Sequence, residues 1–198
     1  MSWPAGGNRV KACALWFLLV SFPASAAELW TYWVEPCASA ESGCTPGDTE
    51  LARWALEAWQ RSAGGALQVK PVADEQAARL RLYWVTGRSQ LYGEARPIAF
   101  AGKRGAAVYV LPSAMRTGED PLDRETVVYL TCLHETGHAL GLAHTDRFAD
   151  IMYSFQFGGD IPEYFARYRR KLRTRADIAQ ASAISDEDHK ALLAALAN

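Results

Sequence analysis

The segment 134–144 constrains this chain more than any other, because it reads His-Glu-Thr-Gly-His-Ala-Leu-Gly-Leu-Ala-His. On a helix, His134 and His138 lie four residues apart on one face, where two imidazole rings can bind one metal ion. Gly141 tolerates the left-handed backbone with which helices commonly end, so the chain can turn and bring His144 to the same ion. Three neutral histidines leave a fourth position open for water, which is the arrangement of a catalytic zinc site.

Glu135 lies one step round the helix from His134, close enough to reach a water on the metal and badly placed to be a ligand. We therefore interpret it as the general base of a hydrolase. The alternative is a helix with incidentally placed histidines. Five fixed positions are expected by chance in roughly one chain in 10⁵ of this length. The chain has four histidines, and three of them lie in this segment.

The motif resembles the signature of the metzincin metallopeptidases, in which His-Glu-x-x-His-x-x-Gly-x-x-His precedes a turn that contains methionine. Met152 falls eight residues after His144, where that turn is expected. The resemblance implies that Met152 lies beneath the metal as an apolar surface and does not coordinate it. A buried core methionine is the alternative. The matrixin branch has similar sequence motifs at two places, Gly-His-Ala-Leu-Gly-Leu-Ala-His and Ile-Met-Tyr. Tyr153 directly follows the methionine, whereas branches with a tyrosine ligand place it two residues after, so no tyrosine ligand is expected.

The resemblance spans most of the chain after residue 28 and implies an α+β, zincin-like fold. Such a fold has a twisted, mostly parallel sheet of about five strands with an antiparallel edge strand. Two long helices pack on the sheet, and a C-terminal helix lies below the active site. Residues 29–34 resemble the first strand of a matrixin catalytic domain, residues 49–62 its first helix, and residues 184–188 the start of its last helix.

Apolar periodicity predicts the same elements. Apolar residues from Leu51 to Trp59 recur at helical spacing, which indicates an amphipathic helix lying on a sheet. Leu80, Leu82 and Trp84 alternate with polar neighbours, as in a half-buried strand. The helix of the metal site is expected to begin near Asp120, a capping residue followed by proline, and to run to about residue 140.

Residues 158–183 have no recognisable counterpart and are interpreted as an insertion near the primed side of the cleft. The segment between the metal-site helix and the last helix is expected to be irregular. Its basic run over residues 167–175 is interpreted as a solvated helical face. A docking surface for an acidic partner is the alternative.

Residues 94–101 contain Pro97, and a proline inside a strand belongs on a sheet edge. Metzincins bind the substrate peptide along the exposed edge strand above the metal, so the resemblance implies Ile98, Ala99 and Phe100 as the substrate-binding edge. A solvated edge without a partner is the alternative. Ile98 stands where matrixins have a histidine that binds a second, structural zinc. We therefore expect one zinc ion, and calcium binding is left open.

Residues 1–26 carry Arg9 and Lys11, an apolar run over 12–22 and Ala-Ser-Ala at 24–26, which is the pattern of a secretory signal peptide. A retained membrane anchor is the alternative, although the run is about half of the roughly 20 residues that span a bilayer. We expect a catalytic domain over 27–198, periplasmic or extracellular, without stable membrane insertion. Its 19 Lys plus Arg against 22 Asp plus Glu give no reason to expect nucleic acid as a partner. A monomer is expected.

Cys37 and Cys44 flank a short loop and form a possible disulfide in an oxidising compartment. The alternative is a cysteine switch, in which a propeptide thiolate occupies the open zinc position. Neither cysteine has the Pro-Arg-Cys-Gly setting of that switch, and the residues after the signal segment are too few for a propeptide. Cys132 lies about 200° round the helix from His134, so it is expected to be a buried free thiol.

These features predict a secreted zinc endopeptidase that acts on a protein or peptide substrate. Zinc would acidify a water molecule and polarise the scissile carbonyl, while Glu135 would take the proton and pass it to the leaving amine. Two alternatives remain: a peptide-binding metal module without significant catalysis, and a zinc amidase that acts on cell-wall peptide.

Overall fold

The computed structural model describes residues 26–38, 40–87, 92–114 and 120–197, so the predicted signal peptide lies outside the described residues except at its last position. The described strands are β1 (Glu28–Val34), β2 (Leu67–Pro71), β3 (Leu80–Trp84), β4 (Gly93–Phe100) and β5 (Lys103–Val110). The described α-helices are α1 (Asp48–Ser62), α2 (Pro121–Leu140), α3 (Ile161–Arg169) and α4 (Asp186–Leu196). Short 3₁₀ helices lie at Ala40–Ser42, Glu75–Ala77, Pro112–Ala114, Phe155–Phe157 and Arg175–Ala179.

The five described strands form one sheet in the order β2-β1-β3-β5-β4. β1 runs parallel to β2 and β3, and β3 runs parallel to β5, whereas β4 pairs antiparallel with β5 at the edge. Pro97 lies in this edge strand opposite Ala106. The predicted α+β fold with an antiparallel edge strand is confirmed.

The core lies between the sheet and the two long helices. Leu80, Leu82 and Trp84 turn the apolar side of β3 inward, as their alternation predicts. From α1, the fully buried Trp59 donates a hydrogen bond from Nε1 to the carbonyl oxygen of Leu133 on α2, 2.9 Å away. The helix that carries the metal site is therefore held directly by the helix beside it.

Both ends of α2 lie where the sequence predicts them. The Asp120 side chain accepts a hydrogen bond from the Leu122 amide at 2.9 Å, and Pro121 occupies the first turn. The helix ends at Gly141, whose φ of 109° is left-handed. Cys132 is a buried free thiol inside this helix, as predicted.

The segment expected to be irregular contains α3, so that expectation was wrong. Asp160 caps this helix by accepting from the Glu163 amide at 3.0 Å. Tyr164 and Tyr168 lie four residues apart and are both buried, and Tyr168 stacks on Tyr129 of α2 with ring centroids 5.6 Å apart. Tertiary packing of these tyrosines stabilises a helix that the basic composition of the segment conceals.

The basic run is a solvated face only in part: Arg170, Lys171 and Arg173 are exposed, whereas Arg167, Arg169 and Arg175 are partly buried. Arg167 lies over the ring of Tyr164, 4.4 Å from its centroid. Arg169 forms ion pairs with Asp120 and Asp123, at 2.5 and 2.8 Å. Arg175 pairs with Glu50 and Glu125, which belong to α1 and α2. Arg169 and Arg175 thus tie α3 and the turn after it to the two long helices.

Two further features belong to the described fold. Cys37 and Cys44 are joined by a disulfide bond, with their Cα atoms 5.9 Å apart. Within the described ranges, no helix combines the length and the apolar character needed to cross a membrane.

Candidate metal centre

Helix α2 and the turn that follows it bring three histidine side chains to one point. The Nε2 atoms of His134 and His138 are 3.1 Å apart. The Nε2 atom of His144 lies 3.2 Å from that of His134 and 3.0 Å from that of His138. The left-handed turn at Gly141 returns the chain to the helix face and so places the third ring.

The other ring nitrogens determine which atoms are free to bind a metal. Nδ1 of His134 lies 2.7 Å from the carbonyl oxygen of Ile151, and Nδ1 of His138 lies 2.8 Å from that of Leu142. A carbonyl oxygen only accepts hydrogen bonds, so each Nδ1 carries the proton and each Nε2 presents a lone pair. Backbone carbonyls commonly orient metal-binding histidines in this way.

The three nitrogen atoms fit one tetrahedral zinc ion. Zn–N bonds of about 2.0–2.1 Å at tetrahedral angles separate two ligand nitrogens by roughly 3.3 Å, close to the distances here. Burial lowers the pKa of His134 to about 3 and also lowers the pKa of His138 and His144. Neutral imidazole is the form that binds metal, so the burial of these rings prepares the site at neutral pH.

Glu135 lies between the histidines and the edge strand. It is buried, and a β-carbon built on Gly93 of β4 would lie 2.7 Å from its Cγ atom. Burial, and secondarily the charge of Glu94, raise the pKa of Glu135 to about 8 in the metal-free protein. A nearby divalent cation acts in the opposite direction and favours the carboxylate. The close approach of β4 to this carboxyl group depends on Gly93, because any side chain at that position would collide with Glu135.

Met152 forms a floor beneath the helix. It is 1% exposed, and a β-carbon on Gly137 would lie 2.5 Å from its sulfur atom. Asp188 of α4 accepts hydrogen bonds from the amides of Ile151 and Met152, at 2.8 and 3.2 Å. The last helix thus holds the turn whose Ile151 carbonyl orients His134.

A pocket of about 590 Å³ opens beside the histidines. It is lined by residues 92–95, at and just before the start of β4, and by residues 153–156 after the methionine. Tyr164 and Phe165 of α3 complete it. The Tyr164 hydroxyl donates toward the carbonyl oxygens of Asp150 and Ile151, both at 3.1 Å, which links the wall to the methionine turn. The Tyr153 hydroxyl donates to the Gly158 carbonyl at 2.7 Å.

The part of the edge strand beside the metal site differs from the part expected. Residues 92–95 line the pocket, whereas Ile98, Ala99 and Phe100 pair with Gly105, Arg104 and Lys103 at the far end of the hairpin. Pro97 identifies the edge strand, but the position of its residues over the metal depends on the pairing register with β5. The two sets of residues thus occupy different parts of one edge strand, and a role of Ile98, Ala99 and Phe100 in substrate binding stays a prediction.

Sequence reasoning missed several residues that shape the centre. Gly93 and Gly137 permit close backbone approaches, and nothing in their immediate sequence signals this. Asp188 was visible only as part of a helix cap, where Ser185 accepts from its amide at 3.0 Å. Its bonds to the methionine turn come from tertiary structure.

Comparison with protein families matches residues 48–160 to the model of the matrixins, Peptidase_M10. No curated protein matches the chain. The matched span covers more than half of the chain and contains the three histidines, Glu135 and Met152, whereas β1, α3 and α4 lie outside it. Matrixins bind zinc, and the histidine cluster described above can hold a metal. The chain therefore belongs to the matrixin family of zinc metallopeptidases, which act on protein or peptide substrates.

Proposed function

We propose that this protein is an endopeptidase that hydrolyses peptide bonds with one zinc ion, held by His134, His138 and His144, and with Glu135 as general base. The observation that carries the proposal is the convergence of three Nε2 atoms, 3.0–3.2 Å apart, beside a buried carboxyl group at the mouth of a pocket. When bound, zinc would polarise the scissile carbonyl and acidify a water molecule.

The protein groups supply the remaining steps. Glu135 takes the proton of the attacking water and delivers it to the leaving amine. Burial raises the pKa of this carboxyl group in the metal-free protein, and bound zinc would favour its carboxylate form, which is the form that accepts the proton. The carbonyls of Ile151 and Leu142 keep His134 and His138 in the tautomer that binds metal.

The substrate is proposed to add as a strand along residues 92–95 of β4. β5 pairs with one side of this strand, and the other side is an edge at the histidines. Strand addition uses the backbone groups of the edge for affinity, and pockets beside it select side chains. The pocket lined by Tyr153, Phe155 and Phe165 would receive an apolar side chain of the substrate.

We also propose that residues 1–26 are a cleaved signal peptide and that residues 27–198 form the secreted catalytic domain. Matrixins are generally extracellular. A disulfide between Cys37 and Cys44 is suited to an oxidising compartment.

The test is proteolysis of unfolded casein by residues 27–198, with zinc content measured on the same sample. Glu135→Gln is assayed beside the wild type, and Glu57→Gln on α1 is the matched control. We expect one zinc in every sample, and cleavage by the wild type and Glu57→Gln only.

Other outcomes point to other functions. Zinc binding without casein cleavage, together with release of products from cell-wall peptide, would replace the endopeptidase with an amidase. Zinc binding with neither activity would favour a peptide-binding module. Ordinary turnover by Glu135→Gln with zinc bound would contradict the role of the carboxylate.

A further inference from the structure

Arg104 of β5 reaches from the sheet to the end of the metal-binding helix. Its Nη2 atom donates hydrogen bonds to the carbonyl oxygens of Ala139, at 2.6 Å, and His138, at 3.3 Å. The last carbonyls of an α-helix have no donor within the helix. Arg104 supplies a donor from another element to the Ala139 carbonyl, and it adds a second, longer bond to the His138 carbonyl, which also accepts from the Gly141 amide at 3.0 Å.

The guanidinium group also packs against the turn after the helix. A β-carbon on Gly141 would lie 2.9 Å from Nη1 and 3.0 Å from Nη2 of Arg104. This turn leads to Leu142, whose carbonyl oxygen lies 2.8 Å from Nδ1 of His138, and then to His144. Arg104 therefore borders the backbone that places two of the three histidines.

A second arginine of the sheet anchors the backbone of Arg104. Its carbonyl oxygen accepts a hydrogen bond from Nε of Arg79 at 2.6 Å. Arg79 is 6% exposed, pairs with Glu28 at 2.8 Å, and lies 3.7 Å from the centroid of the Trp30 ring. A buried and well-anchored group thus fixes the strand from which Arg104 extends.

We propose that Arg104 is a positioning residue of the metal centre. By holding the end of α2 and the Gly141 turn, it keeps the Nε2 atoms of His138 and His144 at metal-binding distance. This inference rests on the metal site of the proposed function. If the role of Arg104 were only structural, it would stabilise the helix equally with and without metal, as a cation at a helix C-terminus does.

The experiment measures zinc affinity by competition with a chromophoric chelator. Arg104→Ala is expected to weaken zinc binding roughly 10-fold, the lower end of the cost of losing a group that orients metal ligands, because Arg104 bonds the backbone and not the imidazole rings. Arg104→Lys keeps the charge but loses the planar fork of donors, so an intermediate affinity is expected. Lys103→Ala, at the neighbouring exposed position of β5, is the control and should bind zinc like the wild type.

Two further readouts separate positioning from stability. The visible spectrum of the cobalt-substituted protein should change in Arg104→Ala and stay unchanged in Lys103→Ala, because it reports ligand geometry. Thermal unfolding of the metal-free proteins measures the structural contribution alone. A structural role would lower the melting temperature with and without metal by similar amounts, and would leave the zinc affinity and the cobalt spectrum unchanged.

A folded Arg104→Ala protein with wild-type zinc affinity and cobalt spectrum would overturn the inference. If that variant does not fold, Arg104→Gln replaces it, and the same criterion applies. Absence of zinc binding by the wild type would instead contradict the proposed function, so the two failures are distinguishable.

Discussion

The two halves of the site are built differently. The ligand half, residues 134–152, is held by hydrogen bonds to backbone carbonyls and by a buried floor, as at His134 and Met152. The wall half, residues 92–95 and 153–165, is held by contacts between aromatic rings. Tyr92 and Phe165 have centroids 5.6 Å apart, and Phe155 and Tyr164 have centroids 5.1 Å apart. We infer that the first half determines the chemistry and the second selects the substrate.

The largest effect is expected in the ligand half. His138→Ala removes one of the three proposed metal ligands and leaves the carbonyl of Leu142 without its donor. Zinc content and casein cleavage should both fall to background, because two histidines do not make a tetrahedral site. Elemental analysis after dialysis measures the first effect. His189→Ala is the control, since this fourth histidine bonds to Ser62 of α1 and does not belong to the cluster. Equal zinc loss in both variants would contradict the ligand assignment.

Glu135→Gln should separate binding from chemistry. Zinc should remain bound, while kcat falls by about 10²- to 10⁴-fold, the contribution of a positioned general base. Steady-state kinetics on a fluorogenic peptide measures this change. A variant that keeps its turnover, or that loses its zinc, would show that the carboxyl group has another role.

The same carboxyl group predicts a pH dependence of stability in the metal-free protein. Its folded pKa of about 8 lies above the ordinary value of 4.5, so its protonated form is stabilised by folding. This stability is complete below pH 4.5 and is lost as the pH rises through 8. Metal-free wild type should therefore lose stability relative to metal-free Glu135→Gln over that range, by on the order of a few kcal/mol.

The pKa of His134 shifts in the opposite direction, from 6.5 to about 3. The stability that this neutral histidine contributes is therefore lost as the pH falls through that range. Because both proteins contain His134, comparing them isolates Glu135. Urea unfolding at pH 5 and pH 8 measures the difference. A difference in stability that does not vary with pH would contradict the raised pKa.

The smallest effect is expected in the wall half. Phe165→Ala opens the wall of α3 and should leave zinc content unchanged. Its kcat/KM values for peptides with small and large apolar side chains should shift relative to each other by about 10-fold, the scale of a change in a hydrophobic pocket. Phe157→Ala is the control, because Phe157 is 55% exposed and does not line the pocket. An unchanged ranking of the peptides by kcat/KM would contradict a role of α3 in substrate selection.

The two halves also differ in how far the sequence predicts them. The spacing of the histidines and Gly141 depends on one helix and one turn, and local rules describe both: the φ of 109° at Gly141 is what such a turn requires. The cap at Asp120 is local in the same sense. Short-range geometry therefore predicts the ligand half well.

The wall half depends on contacts between distant segments. Pro97 identifies the edge strand, but its register with β5 decides that residues 92–95 lie beside the histidines. Helix α3 is stabilised by the burial of Tyr164 and Tyr168, which periodicity in a short basic segment does not reveal. The bonds of Asp188 to the methionine turn are likewise tertiary.

Zinc-edge X-ray absorption on the purified protein tests the central claim most directly, because it reports the ligands of the metal. The predicted spectrum has three imidazole nitrogens at about 2.0–2.1 Å and one oxygen from water. Loss of the imidazole signal in His138→Ala would assign it to this site. A spectrum with a sulfur ligand, or with oxygen ligands alone, would contradict a zinc centre built from His134, His138 and His144.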